Sequence, residues 1–565
     1  MATRPLNTTT VAEAFLASLR ERGIDRIYTN GGTDFAPIVE AYARSSEAKL
    51  NLPLPQIATH ENLAVGMAHG AYLVSGRPQA VMLHVTVGTA NAVMAMFNAA
   101  RDRVPIMLIA GRTPLFEHDA FGARNGGIHW AQEMFDQGSM LRELVKWDYE
   151  LRDGLQVQDV VDRALAIATS APSGPVYLTL PREVLARPLV DFEFRDSPIA
   201  PSTEPSPTMA AIDELASHLE RAEFPVIVTS AVGRDPELVE ALAQLCETHA
   251  IGIVENNPRF VSAPSDHPLH LGYSLYSVLQ DADVLCFIDC DVPWIPASGQ
   301  PRDDAVVVQC GVDPLAARYP IRSQRSDLTI LGSSGEVLRS LAETLRGRGS
   351  QDRYQRIAAA AAAARTRSEE MFATEEATSG PINKRFMNWA LRQVVDQEMT
   401  IVDENWASSV ALRPTRPGSL FHHPPSGGLG WGLPAALGVQ QESPGRTVIA
   451  TVGDGSYIFA NPAACHLAMA MYQLPVLTVV CANNRWGAVE GAARGLYPEG
   501  HFSRQGRSPL AQFTESTAFE RYAEASGGFG EQVVERADLI PALRRGLAVV
   551  RNEGRQALIN VRSAD

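Results

Sequence analysis

The chain has 565 residues, with 49 Lys plus Arg against 64 Asp plus Glu and a formal net charge of −15 at pH 7. At roughly 100 to 200 residues per domain, that length predicts about three or four domains with cores of their own and excludes a small disulfide-stapled module. The acidic balance has the wrong sign for neutralising nucleic-acid phosphates or an anionic membrane, so neither partner is expected.

The N-terminal stretch MATRPLNTTTVAEAF has no apolar core followed by a cleavage site, and no window approaches ~18 uninterrupted apolar residues, which points to the cytoplasm. From there, residues 1–187 alternate helical and strand patterns. TVAEAFLASLRERGI carries apolar residues at helical spacing, and IYTNGGTD reads as strand then glycine turn. QAVMLHVTVG and VPIMLIAG are apolar runs of strand length, the signature of parallel strands covered on both faces. The helix VQDVVDRALAIATS and the strand GPVYLTLP close this unit.

Residues 188–208 are rich in Pro, Ser and Asp and suit an exposed linker. A second α/β unit, 209–350, follows with MAAIDELASHLERA, FPVIVTSA, ADVLCFIDCDV and AVVVQCGVDP. Cys286 and Cys290 lie there, but no second Cys or His pair follows at zinc spacing, so the six cysteines are expected to be buried strand thiols. Residues 351–380 contain an alanine run of high helix propensity and read as a helical connector. The last unit, 381–565, holds MTIVDEN, the turn HHPPSGGLGWGLPAALGV, the strands RTVIATVGDG and LPVLTVVCANN, and a terminal helix and strand. The expected fold class is α/β, three doubly wound parallel-sheet domains in series.

Two constellations carry chemistry. Gly453-Asp454-Gly455-Ser456 ends one strand and Asn483-Asn484 ends the next. A carboxylate and an amide at adjacent strand ends converge on a hard cation, and the glycines let backbone N–H groups approach a diphosphate. Thr59-His60-Glu61-Asn62 precedes the small-residue helix LAVGMAHGAY, where a glutamate is ordinarily a first-turn acid.

With these motifs the chain resembles the thiamine diphosphate-dependent enzymes over nearly its whole length. The resemblance names the three units pyrimidine-binding, central and diphosphate-binding, and implies thiamine diphosphate and Mg2+ as cofactors. Asp454, Asn483 and the Arg485 carbonyl would hold the metal. Asn484 is the alternative to Asn483, which is favoured because Trp486-Gly487-Ala488 then falls where relatives carry an aromatic-Gly-Ala run. Glu61 would hydrogen-bond the cofactor's aminopyrimidine and help activate it. Leu429, in Gly427-Gly428-Leu429-Gly430, would wedge the cofactor into a bent form. The resemblance also places the two ends of the cofactor on different subunits of a homodimer or homotetramer, with active sites at the subunit interface.

The reaction is written in mixed signals. His84, in LHVTVGTAN, together with Thr33 and His267, resembles the benzoylformate decarboxylase pattern of substrate-facing residues. The segment IHWAQE, with Gln132, resembles that of acetolactate synthases, in which His-Pro pairs like His267-Pro268 also occur without a catalytic duty. The central unit lacks the Gly-Met-His-Gly run of the flavin-binding synthases, so FAD is not expected. The expected activity is decarboxylation of a small 2-oxo acid, the product being protonated to an aldehyde or joined to a second carbonyl. An acetolactate synthase-like carboligase is the alternative, and a non-catalytic cofactor-binding paralogue the outside one. His422 and His423, before the Pro-Pro turn, are further candidate proton carriers.

Overall fold

Ile106–Arg112 and Val176–Pro181 are buried along nearly their whole length, and they take the interior of a six-stranded parallel sheet. Its order is Leu54–Ile57, Arg26–Asn30, Gln79–Leu83, Ile106–Arg112, Val176–Pro181, Asp148–Glu150. The apolar stripe of the helix Val11–Glu21, with Phe15, Leu16 and Leu19, packs on Ile27, Met82, Ile109 and Leu178. This computed structural model describes residues 3–189, 192–506, 508–513 and 516–564, so Val190 and Asp191 of the expected linker lie outside the described residues.

One reading changes in this sheet. The apolar run that begins at Gln79 leaves the sheet at Leu83, and Val85–Arg101 is a helix with His84 as its extended N-cap. Tertiary packing overrides the β-propensity of Val85 and Val87 here. Val85 holds φ at +24°, a strained conformation for a β-branched residue, of order 1–3 kcal/mol. That strain sits immediately after a candidate catalytic histidine.

The chain divides into two compact units. The first is Met1–Thr203, Pro424–Gly445 and Ser456–Leu474, so two pieces of the last sequence unit group with the first. Within it the helix Gly432–Glu442 crosses Glu61–Ser75 at backbone contact: a Cβ on Gly70 would lie 1.9 Å from the Ala435 carbonyl oxygen, and one on Gly438 2.0 Å from that of Met67. Glu193–Arg195, within the expected linker, pairs antiparallel with Thr3–Pro5.

The second unit is Glu204–His423, Arg446–Gly455 and Pro475–Asp565. It holds a five-stranded parallel sheet in the order Gly252–Glu255, Pro225–Thr229, Val284–Ile288, Val306–Gly311, Leu328–Leu331. It also holds a six-stranded parallel sheet in the order Leu420–Phe421, Met399–Glu404, Thr447–Gly453, Val476–Ala482, Ala557–Arg562, Phe529–Val533. The alanine run lies in the helix Gln351–Ala377, which buries Ile357 and Ala361 against the five-stranded sheet's core. Three parallel sheets thus serve the three α/β domains. The six cysteines are free and buried, with Cys246 and Cys465 on helices rather than strands. Among the described residues no helix is long and apolar enough to cross a membrane.

Candidate active site

In a doubly wound sheet, ligands bind beyond the carboxyl ends of the strands where the strand order reverses. In the first unit that point lies between Arg26–Asn30 and Gln79–Leu83. Asp34 follows the first strand and His84 the second, and they form a pair, His84 Nδ1 to Asp34 Oδ1 at 2.5 Å. Asp34 is buried, and its other oxygen accepts from the Val85 amide at 3.5 Å, so its charge faces the N-terminus of the helix Val85–Arg101. Room for the pair comes from two glycines. A Cβ on Gly32 would fall 2.0 Å from His84 Nδ1, and one on Gly111 1.6 Å from Asp34 Oδ2.

The hydrogen bond from Asp34 raises the His84 pKa above its ordinary 6.5; burial opposes this, and the charges of Asp34 and Glu61 add to it. The imidazolium is therefore kept to higher pH than in water, with Nδ1 engaged and Nε2 without a partner among the described residues. Glu61 opens the helix Glu61–Ser75, its carboxylate buried and accepting from Asn91 Nδ2 at 3.1 Å. Gly88 lies between the two groups, since its Cβ would stand 3.6 Å from both Glu61 Oε1 and His84 Cβ.

The glycine turn joins this cluster within the same unit. Asn62 Nδ2 donates to the Gly430 carbonyl at 3.0 Å, and Asn98 grips Gly428 twice, Nδ2 to its carbonyl at 2.8 Å and Oδ1 from its amide at 3.1 Å. Gly427 holds φ at +65° and Leu429 is half-buried between these anchors. The turn and Glu61 therefore meet inside one chain.

Thr33 is exposed beside Asp34, and Gln132 is half-buried; neither side chain hydrogen-bonds among the described residues. The inward glutamine of that segment is Gln137, which donates to the Gly111 carbonyl at 3.0 Å and Tyr177 Oη at 2.8 Å and accepts from Thr86 Oγ1 at 3.3 Å. Asp34, Asn91, Asn98 and Gln137 escaped the sequence reading. Of these only Asp34 left a local sign, an acid directly after a strand and its glycine turn.

In the second unit the same rule points between Met399–Glu404 and Thr447–Gly453. Asp454 stands just beyond Gly453, buried, accepting from the Gly455 amide at 2.8 Å and the Asn484 amide at 2.7 Å. Burial raises its pKa while those amides pull it down. Among the described residues no cation forms a direct ion pair with Asp454, although the charge of Lys384 also pulls its pKa down. Asn484 takes a left-handed φ of +56° and its side chain accepts from Arg562 at 3.3 Å, whereas Asn483 Oδ1 closes a turn on the Arg485 amide at 3.1 Å. The Arg485 carbonyl accepts from the Gly487 amide at 3.0 Å, and Trp486 packs edge-on against Phe513. Ser456, assigned to the first unit, is buried.

A buried carboxylate hydrogen-bonded by backbone amides, together with the Asn483 amide oxygen and the Arg485 carbonyl, is a hard-oxygen donor set that fits a divalent cation on a diphosphate. Among the described residues no three His, Cys, Asp or Glu side chains gather to hold a metal, so a site of the zinc type is absent there.

The other histidines are tied elsewhere in the second unit. His267 is buried, its Nδ1 accepting from the Leu269 amide at 3.3 Å and Nε2 standing 3.9 Å from Glu247, and burial lowers its pKa. His422 bridges Ser409 Oγ at 2.7 Å and Asp403 Oδ2 at 3.2 Å, and His423 stands 3.9 Å from Glu404.

Comparison with known proteins agrees along the chain. Residues 9–140 match the N-terminal TPP binding domain of thiamine pyrophosphate enzymes, 212–341 the central domain and 404–561 the C-terminal TPP binding domain. Benzoylformate decarboxylase of Pseudomonas aeruginosa is 28% identical over 505 residues, covering 85% of this chain and 87% of that protein. Acetolactate synthase isozyme 3 large subunit of Escherichia coli is 24% identical over 563 residues, covering 96% and 92%. A solved structure, the thiamine diphosphate-dependent 4-hydroxybenzoylformate decarboxylase of Rhodococcus jostii RHA1, shares the fold with a TM-score of 0.76 at 23% identity, over 98% of this chain and 99% of that one.

Proposed function

We propose, from the premise that this chain belongs to the thiamine pyrophosphate enzymes, that it is a magnesium-dependent decarboxylase of a small 2-oxo acid that also joins the decarboxylated fragment to a second carbonyl when one is supplied. The observation that carries this reading is the Asp34–His84 pair beside Glu61. Bound thiamine diphosphate supplies the electron sink for the pair left when carbon dioxide departs.

The chain's own residues do the rest. Glu61 holds and returns a proton at its carboxylate toward the aminopyrimidine, fixed by Asn91. Asp34 keeps His84 charged and oriented through Nδ1, so Nε2 carries the proton that converts the decarboxylated fragment to an aldehyde. Thr33 orients the substrate, and Gln132 receives the second carbonyl. Leu429 would pack against the bound cofactor as its wedge. Asp454, Asn483 and the Arg485 carbonyl would hold magnesium; Asn483 is preferred over Asn484 because the Asn484 oxygen already faces the cationic Arg562, whereas Asn483 Oδ1 meets only the neutral Arg485 amide. Gly427, Gly453, Gly455, Ser456, Trp486 and Gly487 would contribute to binding the cofactor. His267, held in its own buried setting, is assigned no step. The protein acts in the cytoplasm as a homodimer or homotetramer with active sites at the subunit interface.

The test is to incubate the purified chain with thiamine diphosphate, magnesium and a panel of aromatic and aliphatic 2-oxo acids, with and without an acceptor aldehyde. Carbon dioxide and the matching aldehyde are expected, with part of the product diverted to an acyloin once acceptor is added. No carbon dioxide from any member would refute the reading.

A further inference from the structure

The second unit carries a half-open cavity of about 170 Å³ that none of these assignments uses. Its walls come from three stretches: the loop from Ser265 to Ser277, the middle of the helix Gln351–Ala377, and Val410 with Arg413 at the short helix Ser409–Leu412. The size is close to the ~150 Å³ cavity that takes up benzene in an engineered protein core. A six-membered ring or a branched chain of that bulk therefore fits. Part of the space exists because residue 364 is alanine, on a helix whose Ile357 and Ala361 are committed to the core.

The polar groups at the wall favour an anion. Arg365, Arg367 and Arg413 all line the cavity. Arg413 pairs with Glu369, and Arg365 gives one N–H to the His267 carbonyl at 3.1 Å, but Arg367 has no ion pair or hydrogen bond among the described residues. His270 is already bound to Glu255 at 2.9 Å. Independently, two buried hydroxyls at the same wall, Ser265 Oγ and Tyr273 Oη, have at most each other as a hydrogen-bond partner among the described residues, and Ser265 is only 4% exposed. An unmet buried hydroxyl is unfavourable unless something else satisfies it. Leu271, Ala364 and Val410 give the remaining wall an apolar character that bare phosphate would leave uncovered.

We propose that this cavity is a binding site for a small organic carboxylate with an apolar body the size of a benzene ring, its charge met by Arg367 and Arg413 and an oxygen by the Ser265 hydroxyl. The probe is benzoate, titrated calorimetrically into the chain loaded with thiamine diphosphate and magnesium. Saturable binding of one benzoate per chain is expected, with neutral benzamide at least about tenfold weaker, as for loss of a charge-assisted hydrogen bond. Arg367→Ala should weaken benzoate by a similar factor and Ala364→Leu should abolish its binding by filling the space, while His84→Ala leaves it intact. Should Ala364→Leu fail to fold, Ser265→Ala serves in its place and should weaken binding severalfold. Absence of saturable binding at millimolar benzoate, unchanged binding in the cavity variants, or loss of binding in His84→Ala would each overturn the proposal.

Discussion

The carboxylates of the two switch points are held in opposite ways. In the first unit, Asp34 is matched to a histidine, placed at a helix N-terminus and given space by two glycines, so its charge is compensated by the protein itself. In the second, Asp454 is equally buried but accepts hydrogen bonds from backbone amides, with no side chain bonded to it among the described residues and only the more distant charge of Lys384 acting on it. A carboxylate finished by side chains is suited to managing a proton. One left unfinished in oxygen-rich surroundings is suited to receiving a cation. The comparison teaches that burial alone does not identify a carboxylate's task; what completes its charge does.

The sharpest way to break this contrast is at Asp454. Asp454→Ala removes the one anionic donor of its set, and magnesium-dependent binding of thiamine diphosphate should vanish by calorimetry, whereas unchanged affinity would remove the metal from this turn. Glu61→Gln comes next. It keeps size and hydrogen bonding but cannot carry the proton, so the cofactor should still bind while exchange of its thiazolium C2 hydrogen slows by about 10²- to 10⁴-fold. Exchange at the wild-type rate would make Glu61 a structural first-turn acid.

Asp34→Asn should have the smallest effect and the most specific one. The raised His84 pKa means that the pair's contribution to stability is fully present below the unfolded histidine value of about 6.5 and is lost as pH rises through the higher folded value. The alkaline limb of kcat/KM should therefore move to lower pH in Asp34→Asn, and the variant should lose that part of the wild type's pH-dependent stability. A limb that stays in place would show that His84 is not the group being titrated.

The two regions also differ in how readable they were. The Gly453–Ser456 strand-to-helix junction and Asn483 announce themselves because both motifs end apolar strands and the glycines are local requirements of backbone approach. The three parallel sheets were legible for the same reason, in runs buried on both faces. Asp34, Asn91 and Gln137 are assembled by the fold from separate stretches, and no spacing along the chain encodes that meeting. The helix beginning at Val85 was hidden because its first residues, Val-Thr-Val, carry a strand's propensity and only packing decides against it. The grouping of Pro424–Gly445 with the first unit was equally hidden, since it rests on small residues such as Gly70 and Gly438 whose partners are far away in sequence.

The central claim is that the Asp34–His84 pair supplies the proton that ends the reaction. It is tested most directly by measuring aldehyde and acyloin together in His84→Ala, supplied with thiamine diphosphate, magnesium, a 2-oxo acid that the wild type decarboxylates and an acceptor aldehyde. Cofactor affinity should be unchanged, aldehyde release depressed by about 10²-fold or more, and the product mixture shifted toward acyloin. Aldehyde release at the wild-type rate would contradict the claim.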